Sequence, residues 1–356
     1  MHDTGPRLFL RRMLANADMP AGVEFCNPDI GAVRRARRER PRTLIARLDG
    51  TSYYRMTARN LAGLLRQRRP QLAPAFGWLR RQSWEPPAVT RMLNRYLDRG
   101  ATWLLRHADA IIFQSEISRA MHAEFLGYRP GSLPETVIMN GVPTDEFTPG
   151  DGTRLQGFPA ILISASVYRL HKRLHSAIRL VNALAPSHPD VRLHVLGEFD
   201  PLVREQLAGE DTSRCVFHGR VAAQALPGLY RGADLQLSPS LFDPCPNVVC
   251  EGLASGLPVF TPRQSGAAEL VGPDNADWVV DEGLALEYRE LHVAGQIPEL
   301  PLAEYVTRIE RVLSSLPEHR ARARQRAEQA LDIRRVAARY REFAASCVAA
   351  RGSPRG

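Results

Sequence analysis

The chain has 356 residues, 44% hydrophobic and 24% charged, which leaves room for two domains of ordinary size and excludes a disordered or fibrous protein. No apolar run approaches bilayer-spanning length and the N-terminus lacks the apolar stretch of a signal peptide. Five cysteines without a CxxC pair argue against a disulfide framework or a zinc site, so the cytoplasm is the expected compartment.

The net charge of +9 is unevenly spread, with 20 Arg against 8 Asp plus Glu in residues 1–100 and dense patches at 34–40 and 66–69. No recognition-helix or aromatic-sheet pattern accompanies the patches, so no nucleic-acid partner is expected. An anionic membrane face, giving a peripheral position at the inner membrane, or a lipid-linked acceptor suits such a surface, as does plain solvation. All the remaining positive charge but one is arginine, and the single lysine is Lys172. A chain that keeps one compact ammonium points to a place where a point charge is wanted.

Residues 8–14 have helical spacing and follow Thr4-Gly5-Pro6 with no apolar strand ahead, so the N-terminal domain is expected to be short and to lack its first strand. Residues 43–48 read as a strand that runs into Asp49-Gly-Thr-Ser-Tyr53. Residues 60–100 are Arg-rich and broken by prolines. A helix at 101–108 leads to a strand at 110–114 ending in Gln114, and Ser115 caps the next helix. Residues 136–139 form a strand ending at Asn140-Gly-Val-Pro, and the turn-rich 147–152 is the expected domain boundary.

The second half alternates more regularly. Strand 160–164 leads into the loop Ala165 to Arg173, then a helix at 174–185, a strand at 191–196 and a strand at 216–217 ending in His218-Gly219-Arg220. A helix at 226–232 and a strand at 234–237 follow. Next comes Ser238-Pro-Ser-Leu-Phe-Asp243-Pro-Cys-Pro246-Asn247-Val-Val-Cys-Glu251-Gly, where a proline-punctuated loop enters a helix at 247–255, followed by a strand at 257–260. The helix N-terminus offers backbone N–H groups to an anion, and Glu251 can accept from vicinal hydroxyls. Residues 302–316 and 320–350 have helical period. Strand–helix alternation of this kind implies α/β architecture with parallel sheets.

These residues resemble a known family, the retaining nucleotide-sugar-dependent glycosyltransferases of the GT-B fold (group 1, family 4 type). The resemblance covers most of the chain. It rests on Ala108-Asp-Ala-Ile-Ile-Phe-Gln-Ser115, Val137-Ile-Met-Asn-Gly-Val142, Arg169 to Arg173, Tyr230-Arg-Gly-Ala-Asp234, and Asp243 to Glu251 followed by Gly256-Leu-Pro-Val. Two positions depart from the pattern. Asp243 replaces the first glutamate of Glu-x7-Glu, as in a branch with Asp-Pro-Cys-Pro-Asn, and Gly266-Ala267 replaces a Gly-Gly pair.

The resemblance implies two facing Rossmann-like domains, 1–150 on the acceptor side and 151–330 for the nucleotide sugar, with 331–356 crossing back as a helix. It implies that Arg169, Lys172 and Asp243 are catalytic. Glu251 would bind the ribose, while Pro246, Asn247, Gly219, Arg220, Gly266, Ala267, Glu269 and a backbone turn at Gly5 would serve the rest of the donor. Asp49, Tyr53 and Gln114 would meet the acceptor, although Arg47 is placed to pair with Asp49. The same resemblance implies a nucleoside-diphosphate sugar as co-substrate, a saccharide or lipid-linked saccharide as acceptor, and a role in polysaccharide or glycolipid assembly. No cofactor and no metal are expected, and the chain contains no Asp-x-Asp. Two other readings stay open: another sugar-nucleotide enzyme of the same fold, such as an epimerase or phosphorylase-like enzyme, and a decayed binding module.

Overall fold

The computed structural model describes residues 5–39, 41–51, 96–150, 153–241, 243–284 and 297–352. The chain divides into two compact units. The first comprises Met1–Met139, Ala285–Ile297 and Ala337–Gly356, and the second Asn140–Leu284 with Pro298–Val336. The division falls after Met139 rather than in the turn-rich stretch at 147–152. The reason lies in the strap that follows Met139. Val142 pairs with Asp332, and the Asn140 side chain is bonded to Cys245 and Asn247, so the strap belongs to the second unit.

The first unit is a four-stranded parallel sheet in the order β1-β2-β3-β4, with β1 at Val23–Cys26, β2 at Thr43–Leu48, β3 at Ala110–Phe113 and β4 at Glu135–Val137. Helices α1 (Gly5–Leu14), α2 (Ile30–Glu39), α3 (Arg99–His107) and α4 (Glu116–Leu126) connect or flank the strands. The alternation along β2 sorts its residues to two faces. Leu44, Ala46 and Leu48 join Val33, Ala36, Ala101 and Leu104 in the core on one side. Arg47 goes to the other side, against Phe9 and Tyr340. The Ser115 hydroxyl accepts from the Ser118 amide at 3.0 Å and Gly127 closes α4 in the left-handed region, as the cap residues dictate.

The second unit is a six-stranded parallel sheet in the order β10-β9-β8-β5-β6-β7. Its strands are β5 (Ala160–Tyr168), β6 (Arg192–Phe199), β7 (Cys215–Gly219), β8 (Leu235–Leu237), β9 (Val259–Pro262) and β10 (Val279–Val280). Its helices are α5 (Leu174–Leu184), α6 (Pro201–Leu207), α7 (Leu226–Gly232), α8 (Asn247–Ala254), α9 (Gly266–Val271), α10 (Leu302–Ser314) and α11 (Leu316–Arg326), and α12 (Ile333–Gly352) starts here and continues into residues of the first unit. The middle of the sheet is buried and mostly apolar, as in a sheet covered on both faces, with Gln236 on β8 as a polar exception.

Three arginines spaced along α11 close the carboxyl ends of three other helices. Arg320 donates to the carbonyl of Ala233 after α7 at 2.9 Å, and Arg324 to that of Ala254 in α8 at 2.7 Å. Arg326 donates to Leu270 and Glu269 in α9 at 2.8 and 2.9 Å. Each guanidinium satisfies carbonyls that have no partner inside their own helix and sits at the negative end of its dipole.

Beyond the domain boundary, helices α2, α6 and α9 and strand β10 were not read from the sequence, and two further departures shape the fold. Strand β1 was not anticipated, since four residues that include Glu24 carry little periodic signal. The single helix expected at 320–350 runs on from α11 through a π-helical turn at Ala327–Leu331 and breaks at Asp332 before α12. There Val142 donates to the Leu331 carbonyl at 2.8 Å and accepts from the Ile333 amide at 3.0 Å, which takes both groups out of the helical ladder. Asp332 then accepts from the Arg334 amide at 2.9 Å and starts α12.

Candidate active site

The strand order places the site. From β5 the chain runs outward to β6 and β7, then returns to the opposite side of β5 with β8 and β9. The carboxyl ends of β5 and β8 therefore flank a topological switch point, the position at which ligands collect in open α/β sheets. The loops that leave β5, β8 and β9 at this end are tied to one another. The Leu241 amide donates to the His171 carbonyl at 3.0 Å, and the Gly266 amide to the Asp243 carbonyl at 2.8 Å.

After β5, Arg169 leads into one turn of 3-10 helix, Leu170–Lys172, and the turn ends on Arg173 with φ of 49°. A non-glycine residue in that region is strained and needs its surroundings to hold it. Arg173 is held firmly. Its fully buried guanidinium forms a two-pronged pair with Glu282 at 2.8 and 2.9 Å and donates to the Pro239 carbonyl at 2.6 Å. Tyr305 donates to the same glutamate at 3.0 Å. The anchored Arg173 fixes the turn before it, which carries the two expected cations. Lys172 is ion-paired with Asp243, so the single lysine and the replaced glutamate of the motif meet. Both side chains are about one-fifth exposed. Arg169 is exposed and has no ion pair among the described residues.

Gly266 is required by a close approach. A Cβ there would lie 1.8 Å from the Pro244 carbonyl oxygen. The Ser265 hydroxyl accepts from the Ala267 amide at 3.3 Å and caps α9. Ala267 is completely buried, so its methyl packs inside the unit and the glycine-to-alanine departure adds nothing to the exposed surface. Glu269 lies in the first turn of α9, half-buried, and its carbonyl accepts from Arg326.

At the start of α8, Pro246 occupies the cap position and Asn247 the first helical one. The Asn247 side chain accepts from Asn140 at 2.7 Å, and Asn140 also donates to the Cys245 carbonyl at 3.0 Å. The Asn140 amide points at the Cys245 sulfur, 3.2 Å away. Asn140 thus joins the strap 140–142 to the motif loop, a role that local sequence does not announce. Glu251, one turn further along α8, is half-buried and accepts from the Tyr230 hydroxyl at 3.1 Å.

The remaining expected residues lie apart. Gly219 ends β7 with φ of 63°, and Arg220 beyond it is exposed. They stand two strands from β5, next to a His194–His218 pair at 3.0 Å whose imidazoles burial pushes below their ordinary value. Gly5, Asp49 and Gln114 belong to the first unit. Gly5 is the first residue of α1 rather than a free turn. Asp49 is paired with the buried Arg47 at 3.8 Å. Gln114 is buried at the end of β3, with no partner for its side-chain amide nitrogen among the described residues. Tyr53 lies outside the described residues.

Comparison with known structures defines the class first. The chain has the α/β architecture of GT-B glycosyltransferases, with two parallel sheets of four and six strands. Sucrose-phosphate synthase from Thermosynechococcus elongatus superposes over 97% of this chain and 78% of its own, with a TM-score of 0.61 at 15% identity. Anabaena HepE, solved with UDP-glucose, covers 97% and 82% with a TM-score of 0.57 at 16% identity.

At the level of sequence, residues 159–309 match the model of the family described as Glycosyl transferases group 1. The chain is 28% identical to glycogen synthase of Mycobacterium tuberculosis over 186 residues, 51% of this chain and 44% of that protein. It is 27% identical to D-inositol 3-phosphate glycosyltransferase of Corynebacterium jeikeium over 279 residues, 63% of this chain and 66% of that one. The chain thus spans less than half the length of the mycobacterial relative. Among the described residues no helix is long and apolar enough to cross a membrane, and no three His, Cys, Asp or Glu side chains are grouped to hold a metal ion.

Proposed function

We propose that the protein is a glycosyltransferase that moves a sugar from a nucleoside diphosphate to an acceptor hydroxyl with retention of configuration and without a metal ion. The observation that carries this reading is the cluster at the switch point. An arginine with no ion pair among the described residues, a lysine held by an aspartate, a helix N-terminus and a glutamate one turn along it lie on or just after the loops at the carboxyl ends of β5 and β8. When the bond between the sugar and the diphosphate breaks, negative charge grows on the departing phosphate. Arg169, Lys172 and the first amides of α8 are fixed dipoles and cations for that charge. The acceptor oxygen bonds to the same face of the sugar, and its proton passes to the leaving phosphate oxygen. Asp243 holds the Lys172 ammonium in position, and Glu251 takes the ribose hydroxyls.

The acceptor is read as a saccharide or lipid-linked saccharide in polysaccharide or glycolipid assembly, met in the first unit by Gln114 and its neighbours. Peripheral contact with an anionic membrane is supported by α2, which docks through Val33 and Ala36 and presents Arg34, Arg35, Arg37 and Arg38 to solvent. Nucleotide sugars that raise the unfolding temperature identify the donor, since a ligand of the native state stabilises it. Release of nucleoside diphosphate and the anomeric configuration of the product then test the reaction, with EDTA present and absent. Wild type should transfer, and Lys172→Ala and Glu251→Ala should be impaired. If no nucleotide sugar binds, or if the nucleotide sugar is only epimerised, the reading is wrong.

A further inference from the structure

Tyr230 lies on α7, outside the motif loop, and is fully buried. Its hydroxyl donates to Oε2 of Glu251 at 3.1 Å, with the Val248 carbonyl further away at 3.4 Å. Ser164, in the middle of β5, is a further polar neighbour of the same hydroxyl. Burial first, and the Glu251 charge second, hold the phenol well above its ordinary value, so it stays a neutral donor. A second tie seats the helix itself. Gln236 on β8 donates to the Val248 carbonyl at 3.0 Å, and a Cβ on Gly252 would lie 1.7 Å from its Oε1. Helix α8 therefore sits directly on β8, with the Glu251 side chain reaching back to Tyr230.

A carboxylate can bind both hydroxyls of a vicinal diol only if its two oxygens face outward together. It has about four lone-pair directions, so one held by a protein donor does not exhaust it. Such a donor also removes the rotation that would otherwise be lost on binding. We propose that Tyr230 is a positioning residue that fixes Glu251 in the orientation that recognises a vicinal diol, and so sets the preference of this site for a ribose over a sugar lacking those hydroxyls. The proposal rests on the reading of Glu251 given above. It concerns a contact made to Glu251 from α7.

The ring of Tyr230 also packs edge-on against Phe147, with centroids 5.8 Å apart, and phenylalanine would keep that contact. Tyr230→Phe therefore isolates the hydroxyl. The probes are whichever of UDP, GDP and ADP wild type binds best, and its 2′,3′-dideoxy counterpart, measured by calorimetry. Wild type is expected to prefer the ribose form by about tenfold or more, and Glu251→Ala to lose the preference. Tyr230→Phe should lower it by roughly three- to tenfold with the dideoxy affinity unchanged. Full preference retained in Tyr230→Phe while Glu251→Ala loses it would overturn the proposal and leave the site intact. Equal loss of both ligands in Tyr230→Phe would also overturn it, because the hydroxyl would then serve the fold. A wild type without preference, or without binding, would instead overturn the reading of Glu251 and the proposal with it.

Discussion

Each unit carries a cation near the carboxyl end of a parallel strand and pairs it with an aspartate, yet the two pairs are built for opposite ends. In the first unit Arg47 is fully buried, bonded to Tyr340 at 3.1 Å and Asn27 at 3.4 Å, and laid over the Phe9 ring, with Asp49 at 3.8 Å. In the second unit Lys172 and Asp243 form a pair that solvent reaches, on a turn anchored by its neighbour Arg173. A cation enclosed by its own chain holds elements together and has nothing left to offer a ligand. A cation held at the surface by one carboxylate keeps its charge available, and the strain of fixing it is transferred to Arg173.

Substitutions should separate these roles. The largest effect on folding is expected from Arg47→Ala, which removes the buried guanidinium's bonds to Tyr340 and Asn27 and its ion pair with Asp49, and should cost about 3–5 kcal/mol in the urea unfolding of the first unit. Nucleoside diphosphate affinity should be unchanged, and a comparable loss of affinity would break the contrast. Lys172→Ala should do the reverse. Its stability should stay within about 1 kcal/mol of wild type while the rate of transfer falls about a hundred- to a thousandfold.

Acidification sharpens the same contrast for histidine. Burial pushes His122 in the first unit from 6.5 down to about 4, with its Nδ1 donating to the Ser118 carbonyl at 2.7 Å. Because the folded state resists the proton that the unfolded chain accepts, the stability of this unit is intact at neutral pH. It should fall by on the order of 2–3 kcal/mol between pH about 6.5 and about 4. Equilibrium unfolding across that range should show the loss, and His122→Gln should lack this component. The smallest effects concern the two small residues at α9. Gly266→Ala should cost roughly 1–3 kcal/mol and weaken nucleotide binding, because the loop at Pro244 must move. Ala267→Gly should cost less than about 1 kcal/mol, which thermal unfolding would resolve.

Much of the second unit was legible because its signals are local. Alternating apolar strands and helices with an apolar face lie in order along 159–280. The loop-to-helix passage from Asp243 to Glu251 states its own turn, helix start and acidic positions, and α8 at Asn247–Ala254 lies within the helix read there. Strand β1 escaped because Glu24 interrupts its four residues, whereas β3, equally short, is an unbroken apolar run. The break before α12 escaped because the residues around it are helix-formers, and only the Val142 strap interrupts them.

The amino-acid sequence by itself determined the alternation of elements, the parallel sheets that follow from it, and the residue types of the donor motif. All of these rest on neighbours within a few residues. Tertiary structure alone decided which charges are enclosed and which are offered. Arg47 meets Tyr340 at a separation of 293 residues, Arg173 meets Glu282 at 109, and Lys172 meets Asp243 at 71. Whether a cation is buried or available depends on the partners that folding brings to it, and no local periodicity encodes contacts at that range.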